Sequence, residues 1–350
     1  MVDGAAAVDR VLGEFLDEKT HELRTVDVTL HALARVAREA ALGGGKRLRS
    51  TFAYWGWRGV AGPGAPLAPV LPALAAFELL HAFALVHDDV MDDSPTRRGR
   101  PSAHVALAAW HARSGLVGDA TGFGRSAAIL VGDLCLVWAD ELIASAGVPG
   151  DVVLAARRVY DRMRVDTISG QFLDLVGEAS RVWSLDRAEL VTRLKTACYT
   201  VVGPLLFGAE LSEYADQAVK RAYARYGMAV GEAFQLRDDL LDAYGDPAVT
   251  GKPAGADLRR GKPTPLLELA RTMADGRQRT ELERELARGA DAEPGRLARL
   301  VRWTGAADRV EEMIADRVAQ AHAALADAPI EPDGRHELAR LARTATSRAA

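Results

Sequence analysis

The 350-residue chain contains no asparagine and only two cysteines, and just six of its 44 basic residues are lysine. Cys135 and Cys198 each stand alone inside an apolar helical pattern, so neither a disulfide framework nor a cysteine zinc site is expected. The formal net charge of −4 provides no basic stripe for a phosphate polymer, which argues against nucleic-acid binding. We therefore expect a small-molecule substrate.

Long apolar runs are also missing. No stretch reaches about 18 uninterrupted apolar residues, and an acid stands near Met1 where a secretion signal would carry basic residues. These two features predict a protein without a membrane span that works in the cytoplasm.

Strict two-residue alternation of apolar and polar residues is scarcely found, whereas apolar residues recur at three- and four-residue steps. The pattern predicts an all-α protein, with one of its helices running from Arg187 to Leu206. No low-complexity linker divides the chain, so we expect a single domain over residues 1–350, built as one large helical bundle. From about residue 276 to residue 350, alternating acids and arginines predict surface helices.

Two aspartate clusters of the form D-D-x-x-D run from Asp88 to Asp92 and from Asp238 to Asp242. Helix positions i and i+4 lie on one face, about 6 Å apart along the axis, so each cluster presents paired carboxylates. A single acidic triplet is more often a solvated helix face. Here apolar helix leads into both clusters, and hard divalent cations remove the cost of burying carboxylates. Two facing clusters predict Mg²⁺ held between carboxylates and a substrate phosphate.

Basic residues flank the first cluster, in the run Gly43 to Arg49 before it and in the run Arg97 to Pro101 after it. Neither run has the glycine spacing of a P-loop. Four of the six lysines fall inside the motifs of this chain, where a compact ammonium can meet a phosphate. Each basic run alone is more often solvent-facing, but beside metal ligands the two runs suit a diphosphate.

In order and spacing these motifs resemble those of the polyprenyl synthetase family, the trans-isoprenyl diphosphate synthases. The resemblance covers about residues 43–265. It is carried by Gly44 to Arg49, His81 with the first cluster, Arg97-Arg98-Gly99, Gly132-Asp133, Gly170 to Leu175, Lys195-Thr196, Phe234 to Asp242, Lys252 and Gly261 to Pro265. It implies the isoprenoid synthase fold, a helical bundle around a deep central cavity, which usually forms a homodimer.

The resemblance also implies residue roles. About three Mg²⁺ ions would grip an allylic diphosphate (dimethylallyl, geranyl or farnesyl) through carboxylates and phosphate oxygens. Their ligands would be Asp88, Asp92 and Asp238, supported by Asp89, Asp239, Asp242 and Asp174. Cationic clamps on this diphosphate would be Arg97, Lys195 and Lys252, with Lys262 nearby. The pocket for isopentenyl diphosphate would contain Lys46, Arg49, His81 and Arg98. Oxygens facing the cationic intermediate would come from Thr196, Tyr199 and Gln235.

Product length in this family depends on the side chains beneath the first cluster. Phe83 lies five residues before Asp88, about 7.5 Å down the helix axis, and the fourth position before the cluster is Ala84. A single aromatic floor resembles enzymes that make the C20 product, geranylgeranyl diphosphate. Farnesyl diphosphate (C15) and longer products stay open as alternatives, and Phe83 could also be ordinary core packing.

Two further interpretations are more remote. A class I terpene cyclase resembles this fold but carries a different second metal motif and needs no pocket for a second diphosphate. A non-catalytic partner subunit of a heteromeric prenyl synthase generally lacks one aspartate cluster, whereas this chain has both. The sequence therefore favours an active prenyltransferase.

Overall fold

The computed structural model describes residues 4–180, 184–246 and 254–347. Nearly all of these residues are helical, and the one sheet among them is a two-stranded hairpin. The predicted all-α class is confirmed. The described parts of residues 1–54 and 64–157 form one compact unit, and those of residues 55–63 and 158–350 form a second. The expectation of a single domain stays a prediction.

The first unit is built around a central apolar helix, α4, which packs mainly against α6 and also against α1 and α2. Leu74, Phe77 and Leu79 of this helix are fully buried, because it is apolar on almost every side. The elements that begin in this unit are α1 Gly4–Val26, α2 Leu30–Leu42, α3 Leu48–Ala61, α4 Leu71–Met91, β1 Thr96–Arg97, β2 Arg100–Pro101, α5 Ala103–Arg113, α6 Ala120–Ala144 and α7 Gly150–Ser180.

Helix α4 is long and apolar enough to cross a membrane by length and composition alone. In this structure, 61% of its 18-residue apolar window is buried inside the protein. The core helix of a globular unit passes the same test of length and composition. We therefore interpret α4 as the core helix of the first unit.

The second unit is centred on α10, which packs against α15 and against a π-helix. The π-helix, Thr192–Val202, lies in the stretch where the sequence predicts one regular helix. The helices that begin in this unit are α8 Leu185–Val191, the π-helix, α9 Gly203–Glu210, α10 Gln217–Tyr244, α11 Ala256–Arg260, α12 Pro265–Met273, α13 Gly276–Leu286, a 3₁₀ turn Gly289–Asp291, α14 Pro294–Trp303, α15 Ala306–Ala326 and α16 Pro332–Thr346.

The C-terminal helices differ in one respect from the surface helices that the sequence predicts. Each is amphipathic, and its apolar face is buried, as shown by Leu282 of α13, Val301 of α14 and Val310 of α15. These side chains belong to one cluster with residues of α10. Arg237 of α10 also donates to the carbonyl of Thr346 at 2.8 Å. The C-terminal helices therefore support the helix that carries the second aspartate cluster.

Candidate active site

The first aspartate cluster stands at the C-terminal end of α4. The helix ends at Met91, and the backbone N–H of Asp92 donates to the carbonyl of Asp88 at 2.8 Å. The side chain of Asp88 is 27% exposed, whereas that of Asp89 is only 4% exposed. The predicted ligands Asp88 and Asp92 thus lie together at the end of a buried helix, with Asp89 behind them.

The buried carboxylate of Asp89 is paired with Arg97. Its Oδ1 accepts from Arg97 Nε at 2.9 Å and from Nη2 of the same guanidinium. Nη2 also lies 3.5 Å from Asp88 Oδ2. A buried carboxylate needs such a countercharge, because an isolated one is strongly disfavoured away from water. Arg97, predicted to clamp the allylic diphosphate, therefore lies directly beside the first cluster.

The basic motif after this cluster forms a β-hairpin that the sequence reasoning did not predict. Arg97 of β1 pairs with Arg100 of β2, which leaves Arg98 and Gly99 as a two-residue turn. Both turn residues have positive φ, 53° and 73°, as a type I′ turn requires. Arg98 donates to the carbonyl of Gly44. The hairpin therefore brings Arg98 onto the glycine loop that precedes the first basic run.

A buried ion pair fixes the loop that carries Lys46 and Arg49. Arg47 donates to Glu78 Oε2 at 2.8 Å, and the hydroxyl of Ser50 donates to Oε1 at 2.6 Å. The side chains of Arg47 and Glu78 are 9% and 3% exposed. The sequence reasoning missed both residues. The available signal was Glu78 itself, since it is the only acid of α4 ahead of the aspartate cluster.

His81 stands close to the arginines of this region. Burial of its ring, together with the positive charges of Arg49 and Arg98, holds the pKa of His81 well below its usual range. The imidazole is therefore neutral at pH 7 and offers one donor and one acceptor. Three of the four residues predicted for the second diphosphate are thus neighbours. The fourth, Lys46, is exposed in the adjoining loop.

Three non-glycine residues among those described have positive φ: Arg47, Asp93 and Arg98, at 49°, 49° and 53°. The left-handed region costs energy for residues with a Cβ, and such residues concentrate at functional sites. Asp93 directly follows the first cluster, and Arg47 and Arg98 lie inside the two basic runs. The local backbone is thus held in a demanding conformation around the predicted site.

The second aspartate cluster lies in the last two turns of α10, where Asp238 is exposed and Asp239 is buried. Gln235 Nε2 donates to Asp239 Oδ1 at 2.9 Å, whereas the buried Oδ2 has no hydrogen-bond partner among the described residues. Burial raises the pKa of Asp239 well above its usual range, and the negative charges of Asp257 and Asp238 act in the same direction. Oδ2 therefore favours a proton or a cation.

Asp242 ends the second cluster and caps the short helix α11. Its Oδ2 accepts from the backbone N–H of Asp257 at 3.0 Å, and its carbonyl accepts from the N–H of Gly255. A side-chain acceptor satisfies an N–H that the start of a helix leaves unbonded. Asp257, which the sequence reasoning missed, thereby becomes the additional acid beside the second cluster.

The predicted residues Lys195, Thr196 and Tyr199 lie on the π-helix. π-Helical turns are rare and are frequently found at functional sites. The backbones of the flanking helices approach this one closely, since a Cβ on Gly170 of α7 would lie 2.6 Å from Lys195 N. A Cβ on Gly231 of α10 would lie 2.4 Å from the Cα of Ala197 in the π-helix. Glycines on α7 and α10 thus allow both helices to pack closely against the backbone of the π-helix.

A hydrogen-bond chain joins the π-helix to α10. Thr196 Oγ1 donates to Gln235 Oε1 at 2.7 Å, and the Gln235 amide then donates to Asp239. Because the Thr196 proton is directed to Gln235, the hydroxyl lone pairs stay available as acceptors. Tyr199 is buried. That these oxygens face a cationic intermediate stays a prediction.

Asp174 of α7 holds two lysines. Its Oδ2 lies 2.7 Å from Lys195 Nζ and 3.0 Å from Lys262 Nζ. Although burial alone would raise it, the positive charges of Lys262 and Lys195 lower the pKa of Asp174. The acid predicted to support the metal ions is therefore occupied by two ammonium groups. It positions both cations close to each other in the second unit.

Within the described residues, no three His, Cys, Asp or Glu side chains are gathered as a ready-made metal site. Mg²⁺ is usually held by one or two carboxylates, with water and substrate phosphates completing its shell. Partly exposed Asp88, exposed Asp238 and the unbonded oxygen of Asp239 are oxygen donors of this kind. The residues present therefore fit Mg²⁺. Lys252, predicted as a cationic clamp, lies outside the described residues.

An all-α fold with two D-D-x-x-D clusters, each accompanied by cationic side chains, defines an enzyme class that handles diphosphates through divalent metal ions. A family model described as Polyprenyl synthetase matches residues 31–302. This match covers most of the chain. The chain therefore belongs to the polyprenyl synthetase family of trans-isoprenyl diphosphate synthases, as its motifs predict.

Similarity to individual proteins extends over nearly the whole chain. A short chain isoprenyl diphosphate synthase of Methanothermobacter thermautotrophicus is 30% identical over 95% of both chains. A geranylgeranyl pyrophosphate synthase of Corynebacterium glutamicum, solved with isoprenyl diphosphate and magnesium, is 36% identical with a TM-score of 0.93. This alignment covers 99% of the present chain and 98% of the other. The predicted isoprenoid synthase fold is confirmed.

The names of relatives differ in product length. A nonaprenyl diphosphate synthase of Mycobacterium tuberculosis is 33% identical, over 87% of this chain and 83% of its own. Other relatives are named geranylfarnesyl, geranylgeranyl and farnesyl diphosphate synthases. The similarity thus shows a trans-prenyltransferase family but no particular product length.

Proposed function

We propose that this protein condenses isopentenyl diphosphate with allylic diphosphates and releases mainly geranylgeranyl diphosphate, the C20 product. The observation that carries the product length is the single aromatic side chain ahead of the first cluster. Phe83 and Ala84 are both partly buried on α4, so one large and one small side chain lie below the predicted metal ligands. The similarity to the Corynebacterium geranylgeranyl pyrophosphate synthase supports the same length.

The first step is ionisation of the allylic diphosphate. We assign Asp88, Asp92 and Asp238 as the principal Mg²⁺ ligands, with about three ions per site expected from the family resemblance. When bound, Mg²⁺ would stabilise the negative charge that develops on the departing diphosphate. Lys195, which Asp174 holds by its ammonium, would add a fixed positive charge to the same diphosphate.

The carbon–oxygen bond breaks and its electron pair leaves with the diphosphate, so an allylic cation forms. Thr196 is suited to this stage, because its lone pairs stay free while its proton is bonded to Gln235. The double bond of isopentenyl diphosphate then forms the new carbon–carbon bond. A proton is lost to the departed diphosphate, since the carboxylates of the motifs are assigned to metal ions and lysines.

The second diphosphate is assigned to the basic residues of the first unit. Arg49 and Arg98 act electrostatically on His81, and Lys46 lies exposed in the neighbouring loop. A neutral imidazole can donate to a phosphate oxygen while the arginines supply charge. Arg47 and Glu78 hold the loop in place and need not contact the substrate.

We also propose that the protein is a homodimer of the cytoplasm. The location rests on the sequence alone. The dimer is supported by an apolar surface on α6, where Ile129, Leu130 and Val137 are 44%, 57% and 62% exposed. Exposed apolar side chains grouped at helical spacing are typical of an interaction surface. A second copy is the partner that the family resemblance implies.

Chromatography of the dephosphorylated products tests the proposed length. We expect the C20 alcohol from the wild type, longer alcohols from Phe83→Ala and a shift towards C15 from Ala84→Phe. The purified chain should release diphosphate without a partner subunit and yield linear alcohols, which separates it from a partner subunit and from a cyclase. An unchanged product distribution in both variants would show that another helix sets the length.

A further inference from the structure

The ring of His87 is wedged between Phe83 and the backbone of α6. Residues 83 and 87 are one helical turn apart on α4, and helical side chains lean towards the preceding turn. The two ring centroids are 4.8 Å apart with an interplanar angle of 65°, an edge-to-face contact. His87 therefore limits the directions in which the Phe83 ring can move.

On its other side, the His87 ring lies on Gly132 of α6. A Cβ added to Gly132 would lie 2.2 Å from His87 Cδ2 and from Nε2, a distance that real contacts do not reach. The absence of a Cβ at Gly132 thus allows this close approach, and a Cβ there would have to displace the His87 ring. The His87 ring occupies the space that any other side chain would fill.

A hydrogen bond fixes the orientation of the same ring. His87 Nε2 lies 3.0 Å from the carbonyl oxygen of Ile129, one turn before Gly132 on α6. A carbonyl only accepts, so Nε2 carries a proton that it donates. Asp133 Oδ1 lies 3.8 Å from the same nitrogen. The ring is therefore held by packing on one face and by a directed bond at its edge.

This arrangement matters because the edge-to-face contact with His87 restrains the Phe83 ring. An aromatic side chain can choose among staggered χ1 rotamers unless its neighbours exclude all but one. A floor that could swing aside would stop chain growth at variable lengths. His87 and Gly132 together decide how far Phe83 can move towards α6.

We propose that His87 and Gly132 are positioning residues that set product length by bracing Phe83 against α6. The proposal rests on the proposed function in one respect, namely that Phe83 closes the path of the growing chain. Removing the His87 ring should let Phe83 move towards α6 and leave more room for the growing chain. Adding a Cβ at Gly132 should push the His87 ring, and with it Phe83, away from α6 and leave less room.

The variants His87→Ala and Gly132→Ala should shift the products in opposite directions. For His87→Ala we expect the share of products longer than the wild-type one to rise about two- to tenfold, the effect of losing one edge-to-face contact. For Gly132→Ala we expect a rise of similar size in shorter products. His87→Phe keeps a ring but loses the bond to Ile129, so its distribution should return towards that of the wild type.

Two glycine variants serve as matched controls. Gly13→Ala adds a methyl on α1, where no atom lies within 4 Å of the new Cβ. Gly124→Ala adds one on α6 at 2.3 Å from the carbonyl of His104, so it strains the same helix away from Phe83. Both should leave the product distribution unchanged, and Gly124→Ala should only lower the melting temperature.

The readout is a shift relative to the wild type, so it applies whatever the wild-type length is. If Phe83→Ala lengthens the products while the distributions of His87→Ala and Gly132→Ala stay at the wild-type one, the brace is refuted and the proposed function stands. If Phe83→Ala changes nothing, the brace is also refuted. If the wild type transfers no prenyl group, the proposed function fails. In that case the melting temperatures of Phe83→Ala, His87→Ala and the double variant test the brace. If His87 braces Phe83, the fall in melting temperature of the double variant differs from the sum of the two single falls, and an additive result overturns the proposal.

Discussion

The two aspartate clusters have the same D-D-x-x-D form, yet their central acids are stabilised in opposite ways. In the first unit, buried Asp89 is neutralised by the Arg97 guanidinium. In the second, buried Asp239 accepts one bond from the neutral Gln235 amide, and burial raises its pKa well above the usual range. The negative charge of the first buried acid is thus compensated by a protein side chain, whereas the second buried acid favours a proton or a cation.

This difference shows that a motif fixes which ligand atoms are available but not their charge state. The charge state depends on neighbours from other parts of the chain. Arg97 comes from the hairpin after α4, and Asp257 comes from the segment after α10. The two clusters share outer carboxylates that are at least partly exposed, and they differ in how the buried central acid is stabilised.

The largest expected effect concerns the shared feature. Asp88→Ala and Asp238→Ala should each lower turnover by at least about 10³-fold while leaving the fold intact, because metal-assisted departure of diphosphate supplies most of the rate. Steady-state kinetics and circular dichroism on the same preparations check this. A folded Asp88→Ala protein with near-normal turnover would contradict the assignment of the first cluster.

The next largest effect distinguishes the binding sites of the two diphosphate substrates. Arg49→Ala in the first unit should raise the KM for isopentenyl diphosphate about tenfold more than that for the allylic substrate, the scale of one charge-assisted hydrogen bond. Lys195→Ala in the second unit should do the reverse, and Lys252→Ala should follow Lys195→Ala. Initial rates over both substrate concentrations measure the two KM values. Equal changes in both KM values for every variant would argue against the division of roles.

Stability in metal-free buffer distinguishes the central acids. Because the pKa of Asp239 is raised in the folded state, its contribution to stability is present below the unfolded pKa, about 4, and is lost as the pH rises through the folded pKa. Asp239→Asn should therefore raise the melting temperature at pH 8 by a few degrees and much less at pH 5. Asp89→Asn should lower it at pH 8, because Arg97 loses its partner. Shifts of the same sign in both variants would remove the contrast.

The smallest effect compares the two cysteines, one in each unit. Burial raises the pKa of the Cys135 thiol to about 12 and that of Cys198 to about 11, so little thiolate exists at pH 8. A chromogenic disulfide reagent should react slowly with the native protein, first at Cys198 and then at Cys135. Peptide mapping identifies the order. Rapid labelling of Cys135 in the folded protein would contradict its buried position.

Much of this architecture could be predicted from the chain. The all-α class follows from apolar spacing, and apolar helix leads into both aspartate clusters as the sequence predicts, in α4 and in α10. The π-helix could not be predicted, since its wide turn depends on glycines of two other helices, such as Gly231. The ion pair of Arg47 with Glu78 and the capping of α11 by Asp242 join residues far apart in sequence. Such contacts require the folded chain.

The most direct test of the central claim uses the wild-type protein alone. The purified chain is incubated with labelled isopentenyl diphosphate and farnesyl diphosphate, first with a chelator and then with increasing Mg²⁺, and prenyl transfer and diphosphate release are followed together. The account predicts no transfer with the chelator, and with Mg²⁺ one diphosphate released for each C20 product formed. Transfer that persists in the chelator, or Mg²⁺-dependent diphosphate release without chain elongation, would contradict it.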